Sequence, residues 1–405
     1  MTTLLNTLSF HPMYNKLSPF FFIFLLSTLL SCKSQQAVNK AAVVQKENAT
    51  KEEVKIQQKY VDEYTLDFKI GQMVMMGIND RKVLEMNDAL VAEIAEGKTG
   101  GIILFEKNIS PTNSKEALKK LISDMQDKAK VPLLMSIDEE GGKVHRLKEK
   151  YGFVPMPSAA YLGALNNLDS TLYYTKNLAV LLADLGFNVN FAPDVDLALN
   201  VNNPVIVKSG RSYGADPKVV SAQAITSIQG HHAYDVKTAI KHFPGHGSSS
   251  TDSHYGITDI TKQWQFIELI PYKEIIQSGQ CDAIMTAHII NCHLDTTCLP
   301  ATLSKVIVTD ILRGVLGFEG LVFSDDMQMH AISKNYGLDN AVKLSILAGV
   351  DVLVFGNNVT QSYRTTATEV HAIIKKLVAS GEISERRINE SFLRIMDFKT
   401  KKPIR

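Results

Sequence analysis

The middle of the chain reads Lys241-His242-Phe243-Pro244-Gly245-His246-Gly247-Ser248-Ser249-Ser250-Thr251-Asp252-Ser253-His254, directly after a mostly apolar run from Val236 to Ile240. The apolar run predicts a short buried strand, and the glycines, serines and proline after it predict a loop. In an α/β protein, the loops that follow strands carry the chemistry. This loop supplies a lysine, three histidines and an aspartate, more titratable groups than a plain connection needs. We therefore expect it to belong to the functional site.

Short apolar runs alternate with amphipathic stretches from Tyr64 to the C-terminus, which predicts an α/β fold. Eight runs are predicted strands, at 74–78, 101–105, 133–137, 189–192, 238–242, 283–287, 321–324 and 352–355. The predicted helices between them include 114–130, 172–185, 217–234, 266–277, 305–316, 339–348 and 366–378, and a closing helix is predicted at 384–399. This order predicts a single (β/α)8 barrel of the TIM type. A doubly wound open sheet would also alternate strands and helices. However, polar residues follow nearly every predicted strand, as expected for a barrel with one active face.

The composition excludes several classes of function. Apolar residues make up 45% of the chain and charged residues 21%, and 43 basic against 42 acidic residues leave a formal charge of +1. These are the values of an ordinary soluble domain, and they give no reason to expect nucleic acid or an acidic polymer as a partner. No Gly-x-Gly-x-x-Gly follows a strand and no lysine-type phosphate-binding loop occurs, so no nucleotide cofactor is expected. We expect a monomer with no cofactor and no bound metal.

The N-terminus carries a targeting signal. An apolar run from Phe20 to Leu30 has about the length of a signal peptide and is too short to span a bilayer comfortably. The end of this run, Leu29-Leu30-Ser31-Cys32, resembles the lipobox of bacterial lipoproteins, in which Cys32 would carry the lipid. An ordinary signal peptide with an incidental cysteine is the alternative. In either case residues 1–32 are the predicted signal peptide.

The body of the protein is predicted to begin after a polar segment. Residues 33–60 are rich in Gln, Lys, Glu and Ala and predict a flexible tether, so that residues 61–405 form the folded domain. Translation starts at Met1 or at Met13. A lipid on Cys32 would hold the protein to a membrane of the cell envelope, at the periplasmic face or at the cell surface.

Three cysteines lie in the predicted body. Cys292 and Cys298 flank a short polar loop, and in an exported protein they can form a local disulfide or stay as free thiols. Cys281 lies beside an apolar run and is interpreted as a small core residue.

Polar residues follow the predicted strands and should share one surface, because the carboxyl ends of barrel strands open on the same face. This surface is rich in carboxylates and histidines, with Lys241, Arg146 and Arg211 as cations. Breaking a glycosidic bond suits it, because the reaction needs an anion beneath the developing oxocarbenium ion and a proton donor at the leaving oxygen. The other strand-end residues are Asp138, Glu139, Glu140, Asp194, Asp196, His288, Asp325 and Asp326.

Two groups within this set are candidates for the reaction itself. Asp325 follows the buried strand directly after Ser324, so its backbone is held rigidly, as a nucleophile requires. Asp326 can cap the following helix and leave Asp325 for chemistry. Asp252 and His254 are separated by one serine, and an aspartate beside an imidazole raises its pKa and orients it as a proton donor that later accepts.

These residues carry a family resemblance. The chain from about Leu66 to Phe398 resembles the catalytic barrel of family 3 glycoside hydrolases, in particular the single-barrel β-N-acetylhexosaminidase branch. The motifs that carry it, in order, are Ile137-Asp138-Glu139-Glu140-Gly141-Gly142, Arg211-Ser212-Tyr213, the Lys241 to His254 segment, Ala287-His288, Pro300-Ala301-Thr302-Leu303-Ser304 and Phe323-Ser324-Asp325-Asp326-Met327.

The resemblance implies a role for each matching position. Asp325 matches the nucleophile that forms a covalent glycosyl-enzyme, and His254, assisted by Asp252, matches the acid/base of this branch. The remaining matches are sugar-binding positions, namely Asp138, Arg146, Arg211, Lys241 and His242. The segment Val207-Lys208-Ser209-Gly210 before Arg211 is slightly longer than the family pattern. The implied activity is removal of terminal β-linked N-acetylglucosamine, from peptidoglycan fragments or other glycans.

Other functions fit part of the same pattern. A metal-dependent hydrolase could use His242, His246, His254, His288, His293 and Asp325 as ligands, although the first strands lack a His-x-His pair. A non-catalytic sugar-binding lipoprotein would need no nucleophile matched to an acid/base. Within the fold, a β-glucosidase or an enzyme with phosphate as the acceptor is also conceivable.

Several polar residues near the motifs are expected to be structural. His246, between two glycines, is predicted to stabilise its loop, and Trp264 is predicted to pack against a helix. Glu139 and Glu140 are predicted to bind backbone amides around the Gly141-Gly142 turn.

Overall fold

The computed structural model describes residues 61–253, 256–360 and 364–403. The predicted barrel is confirmed. Eight parallel strands form one sheet in the order β8-β1-β2-β3-β4-β5-β6-β7, and a parallel bridge between Phe323 and Val352 brings its two outer strands together. In chain order the strands are β1 Val74–Gly77, β2 Gly101–Leu104, β3 Leu134–Ile137, β4 Val189–Asn190, β5 Lys237–Phe243, β6 Ala283–Thr286, β7 Leu321–Phe323 and β8 Leu353–Phe355.

Helices follow the strands and cover the outside of the sheet. All eight helices predicted above are present, with ends that move by a few residues. The α-helices are Leu66–Gln72, Ala89–Glu96, Ser114–Gln126, Ala159–Leu165, Leu168–Leu185, Pro217–His232, Ile270–Gln277, His330–Ser333, Leu338–Ala348, Ala367–Ala379 and Glu385–Thr400, and a π-helix spans Val306–Val315.

Two helix starts differ from the prediction for local reasons. The helix predicted from residue 172 begins at Leu168, because Asn167 accepts a hydrogen bond from the Ser170 amide at 2.8 Å and caps the first turn. The helix predicted from residue 266 opens with a 3-10 turn, Phe266–Leu269, before the α-helix starts at Ile270. Pro271 stands in the first α-helical turn, where its missing N–H costs nothing.

The barrel interior is filled by large apolar side chains. The rings of Phe191 and Phe323 pack edge to face with centroids 5.1 Å apart. At the amino end of the strands, Phe398 from the closing helix lies with its ring centroid 6.1 Å from that of Phe323. Strands that are buried on both faces consist of continuous apolar runs, which explains why they could be predicted from the sequence.

A short ribbon lies outside the barrel. Thr258–Asp259 pairs in parallel with Ile289–Ile290, so the chain that leaves the Lys241 to His254 segment is joined to the loop after β6. Cys292 and Cys298 form a disulfide with Cα atoms 4.6 Å apart, which decides between the two thiol states that the sequence allows. Cys281 is half-buried and packs against the core, as predicted.

The predicted signal peptide, Cys32 and the tether lie outside the described residues. Within the described ranges, no helix combines the length and the apolar character needed to cross a membrane.

Phe398→Ala should destabilise the barrel, because it removes the ring that covers the amino end of the interior, where only 6% of the residue is exposed. The expected loss is about 3–5 kcal/mol in the free energy of unfolding measured with urea. Phe266→Ala is the matched control, since Phe266 is 75% exposed and its removal should cost less than about 0.5 kcal/mol. Equal losses in the two variants would show that Phe398 does not close the core.

Candidate active site

The predicted site residues meet at the carboxyl end of the barrel. Asp138 stands directly after β3, Lys241 and His242 are at the end of β5, and Asp325 follows β7 by two residues. Arg146 and Arg211 come from the loops after β3 and β4. Since all eight strands are parallel, these positions open on one face.

A buried ion cluster forms the base of this face. The Lys241 amine lies 2.7 Å from Asp138 Oδ1 and 2.7 Å from Glu140 Oε1. Glu140 also receives two hydrogen bonds from Arg211, Nε at 2.8 Å and Nη2 at 2.7 Å. Lys241 is 2% exposed and Arg211 8% exposed, so two cations and two carboxylates neutralise each other away from water.

His242 is held in one tautomer. Its Nδ1 lies 2.7 Å from Asp196 Oδ2, and its Nε2 lies 3.0 Å from Arg211 Nη2. Because arginine can only donate, Nε2 accepts and Nδ1 carries the proton that is donated to Asp196. Both ring nitrogens of this predicted sugar-binding residue are therefore bonded within the protein.

The electrostatics divide the carboxylates into two groups. Burial alone would raise the pKa of Asp138 and of Glu140, but the charges of Lys241 and the nearby arginines outweigh it and hold both pKa values below their usual range. Burial alone would lower the pKa of Lys241, because it disfavours the charged amine. The two carboxylates, Asp138 and Glu140, outweigh burial, and the pKa of Lys241 is raised. These three groups are thus ionised at neutral pH.

Asp194 behaves in the opposite way. Burial, and then the neighbouring charge of Asp196, raise its pKa well above the usual range. Its Oδ2 makes no hydrogen bond to a described residue, although Arg211 Nε lies 3.4 Å away. Of the Asp194–Asp196 pair, Asp194 is therefore the carboxyl group that binds a proton more readily.

Two of the predicted sugar-binding residues face the mouth of the barrel, which is its opening at the carboxyl ends of the strands. The side chains of Asp138 and Arg146 are 17% and 28% exposed, and Arg146 Nη2 lies 3.6 Å from Asp138 Oδ2. The Arg146 guanidinium also lies over the Phe105 ring, with Cζ 5.7 Å from the centroid. Lys241, Arg211 and His242 support this pair from below.

Asp325 is half-buried at the end of β7, and its backbone is tightly held. Its Oδ1 accepts a hydrogen bond from the Asp326 amide at 2.8 Å. Asp326 Oδ1 accepts from the amides of Gln328 at 3.0 Å and Gly356 at 3.1 Å. Asp326 thus binds backbone, as expected of a capping residue, although the next helix begins only at His330.

The loop after β5 is described up to Ser253, and Asp252 is half-buried. His254 lies outside the described residues, so its role as acid/base stays a prediction. The structural role of His246 is confirmed, because its Nδ1 lies 2.7 Å from Ser249 Oγ and its Nε2 lies 3.3 Å from Ser253 Oγ. Trp264 instead packs against Ile260, Ala287 and Ile289, none of which lies in a helix, so the predicted packing against a helix is not what this cluster shows.

The prediction for the two glutamates is half wrong. Glu139 does bind backbone, accepting from the amides of Arg146 at 2.8 Å and Leu147 at 3.1 Å. Glu140 instead pairs with Lys241 and Arg211. Two basic residues in buried segments require two carboxylates and Asp138 supplies only one, but this signal does not say which acidic residue is the second.

The structure does not favour the metal-hydrolase alternative. Asp194, Asp196 and His242 have donor atoms within 4.8 Å of one another, but His242 Nδ1 already donates to Asp196. Arg211 adds a positive charge beside Asp194. His288, another imagined ligand, has Nδ1 2.9 Å from Thr302 Oγ1 and Nε2 2.9 Å from the Asp326 carbonyl oxygen. The ring nitrogens of His242 and His288 are thus engaged in hydrogen bonds within the protein.

Residues 65–398 match the family described as "Glycosyl hydrolase family 3 N terminal domain". The chain belongs to glycosyl hydrolase family 3. Beta-hexosaminidase from Tolumonas auensis is 36% identical over 278 residues, which are 67% of this chain and 80% of that protein. Beta-hexosaminidase A from Pseudoalteromonas piscicida is 32% identical over 323 residues, 75% of this chain, and the match spans only about half of that longer relative, 54%.

Solved structures of the family share the fold. A glycoside hydrolase family 3 beta-N-acetylglucosaminidase from Paenibacillus sp. str. FPU-7 superposes with a TM-score of 0.75 at 35% identity, covering 83% of this chain and 62% of that one. The family 3 membership and the single barrel predicted from the sequence are thereby confirmed.

Glu140→Ala should strongly destabilise the protein, because Lys241 and Arg211 would be left buried with too little negative charge. We expect a loss of about 3–5 kcal/mol in the free energy of unfolding in urea at pH 7. Glu106→Ala is the control, since Glu106 is 27% exposed and pairs with Lys148 and Lys150 at the surface, where such pairs contribute about 0–1 kcal/mol. A loss below about 1 kcal/mol for Glu140→Ala would contradict the ion cluster.

Proposed function

We propose that this protein is a retaining exo-glycosidase that removes terminal β-linked N-acetylglucosamine, that is, a β-N-acetylhexosaminidase. The observation that carries the proposal is the carboxylate of Asp325, fixed at the end of β7 on the face where Asp138 and Arg146 are exposed. The activities named for the Tolumonas and Paenibacillus relatives support the same reaction class.

The proposed reaction has two displacements. Asp325 attacks the anomeric carbon and forms a glycosyl ester, while His254 donates a proton to the departing glycosidic oxygen. His254, oriented by Asp252, then removes a proton from water, which attacks the anomeric carbon and releases Asp325. Two inversions at one carbon give net retention.

The ion cluster has a distinct role in this scheme. Asp138 is ionised because Lys241 and Arg146 lower its pKa, so its oxygens can accept hydrogen bonds from sugar hydroxyls. Arg146 can donate to the same sugar. Lys241, Arg211 and His242 hold these groups in place with their own polar atoms satisfied, which preorganises the site before the sugar arrives.

The proposal extends to the substrate and the location of the protein. Peptidoglycan fragments and other glycans with terminal N-acetylglucosamine need the same chemistry. The lipobox resemblance around Cys32 supports attachment to a membrane of the cell envelope. The Cys292–Cys298 disulfide adds support for export, because disulfides persist in oxidising compartments.

The first test uses 4-nitrophenyl N-acetyl-β-glucosaminide with the chain that starts after Cys32. We expect turnover, and a loss of at least about 10³-fold in kcat for Asp325→Asn because the nucleophile is removed. Asp310→Asn is the control, since its side chain is 54% exposed on the outer helix surface, and it should retain full activity. NMR should show the β-anomer as the first product.

Other outcomes would overturn parts of the proposal. The α-anomer as first product would exclude the covalent route. Formation of sugar 1-phosphate only when phosphate is present would identify a phosphorylase, and preference for the β-glucoside would change the sugar. Sugar binding by a folded parent with no turnover would favour the binding lipoprotein.

Chelation tests the remaining rival. Dialysis against EDTA should leave kcat unchanged, because His242 and His288 use their ring nitrogens in hydrogen bonds. Loss of activity that added zinc restores would support the metal hydrolase. The free energy of unfolding, measured before and after dialysis, separates a catalytic ion from a structural one.

A further inference from the structure

The segment from Pro244 to Ser249 is buried although it belongs to a loop. Asp196 Oδ1 accepts a hydrogen bond from the His246 amide at 2.7 Å. On the same side, Asn203 Nδ2 donates to the carbonyl oxygens of His246 at 2.8 Å and Gly247 at 3.1 Å. The loop after β4 therefore holds one edge of this segment.

The opposite edge is held by the chain before the helix Ile270–Gln277. Trp264 Nε1 donates to the Pro244 carbonyl oxygen at 3.1 Å, and Glu268 Oε2 accepts from the Ser248 amide at 3.3 Å. A Cβ added to Gly245 would lie 2.8 Å from Glu268 Cβ and 3.0 Å from its Oε2, so only glycine lets the carboxylate approach this closely. Glu268 itself is 1% exposed.

This anchored segment leads directly to the predicted acid/base. His246 Nε2 lies 3.3 Å from Ser253 Oγ, and Ser253 is the residue between Asp252 and His254. The contacts run from Glu268 to the Ser248 amide, along the backbone to Ser249, from Ser249 Oγ to the His246 ring, and from that ring to Ser253. A shift of the Ser248 backbone would therefore be transmitted to the residues that deliver the proton.

We propose that Glu268 is a positioning residue of the reaction, which anchors the base of the loop that carries Asp252 and leads to the predicted acid/base. The proposal rests on the glycosidase function proposed above. Glu268 touches neither the sugar nor the reacting atoms. It acts through the backbone of the loop, and its removal should affect turnover more than substrate binding, because Asp138 and Arg146 come from another strand.

The charge of Glu268 matters for this role. Burial, and then the charge of Asp196, raise the pKa of Glu268 to about 7. The ionisable groups that face it are Asp196 from the loop after β4 and Tyr272 from its own helix. The ring of His246 in the anchored segment points to Ser249 and Ser253. Above about pH 7, burial of the ionised carboxylate and then repulsion from Asp196 disfavour the buried position of Glu268, so the anchored segment opens more readily, although the Ser248 amide favours the ionised form.

The sign of the stability effect follows from the same shift. The raised pKa means that the folded protein binds this proton more tightly than the unfolded chain does. The stabilisation is complete below the unfolded pKa of a glutamate and is lost as the pH rises through about 7. The urea midpoint of the parent should thus fall relative to that of Glu268→Gln between pH 5 and pH 8.

The test compares the full-length parent with Glu268→Gln, Glu268→Ala and Glu319→Gln, an exposed control at the opposite end of the barrel. For Glu268→Ala we expect kcat to fall about tenfold with KM within about twofold. For Glu268→Gln the ratio of its kcat to that of the parent should rise about tenfold between pH 6 and pH 8, because the titration of His254 is common to both and cancels. An unchanged ratio, with Glu319→Gln equal to the parent, would overturn the proposal.

A second readout does not depend on glycosidase activity. Hydrogen exchange of peptides covering residues 244–253, corrected for the intrinsic rate at each pH, should be faster in Glu268→Ala and in the parent at pH 8. Unchanged exchange in Glu268→Ala would refute the anchor even if the enzyme is active. An inactive parent in which exchange responds as expected would refute the proposed reaction and leave the anchor in place.

Discussion

The amine of Lys241 is the charge on which the rest of the site depends. A buried ammonium is tolerated only with carboxylate partners, and Lys241 has two, Asp138 and Glu140, both at 2.7 Å. These partners fix the start of the loop after β3. Glu140 in turn receives the forked guanidinium of Arg211, which brings in the loop after β4. One buried charge thus determines how two loops and three strands meet.

The two halves of the barrel mouth differ in the interactions that hold them. The half made by Asp138 and Arg146 stands on the buried ion cluster of Lys241, Glu140 and Arg211. The half that contains Asp252 stands on a loop held by amide and carbonyl hydrogen bonds to Asp196, Asn203 and Glu268. In the proposed reaction, binding of the sugar and transfer of the proton would therefore depend on different kinds of interaction.

The fold could be predicted almost completely from the sequence. Strands such as β1 and β3 are buried on both faces, so each is a short apolar run that composition alone reveals. The helix start at Leu168 was missed because the cap at Asn167 acts locally, without changing the apolar pattern. The family motifs located the residues of the mouth, and the structure brings Asp138, Arg146, Arg211, Lys241 and His242 together.

Partners across the fold were harder to predict. Glu140 was assigned to its own turn, since a single sequence does not show that Arg211, 71 residues away, comes within 2.7 Å. Nothing in the sequence around Glu268 indicated that it reaches the loop after β5. Pairings of this kind depend on how loops from different strands are folded back, and local patterns carry no information about that.

The ribbon beside the barrel determines when the entropic cost of ordering the loop at the barrel mouth is met. The segment 250–257 begins after the anchored Ser249 and ends where Thr258 pairs with Ile289. Thr251 Oγ1 donates to Thr258 Oγ1 at 3.1 Å, which brings the two sides of this segment together, and the Cys292–Cys298 disulfide closes the loop that follows the partner strand. Closing a chain of this length costs about 2 kcal/mol of entropy. That cost is met when the barrel folds, so in the proposed reaction the binding energy of the substrate would not be spent on it.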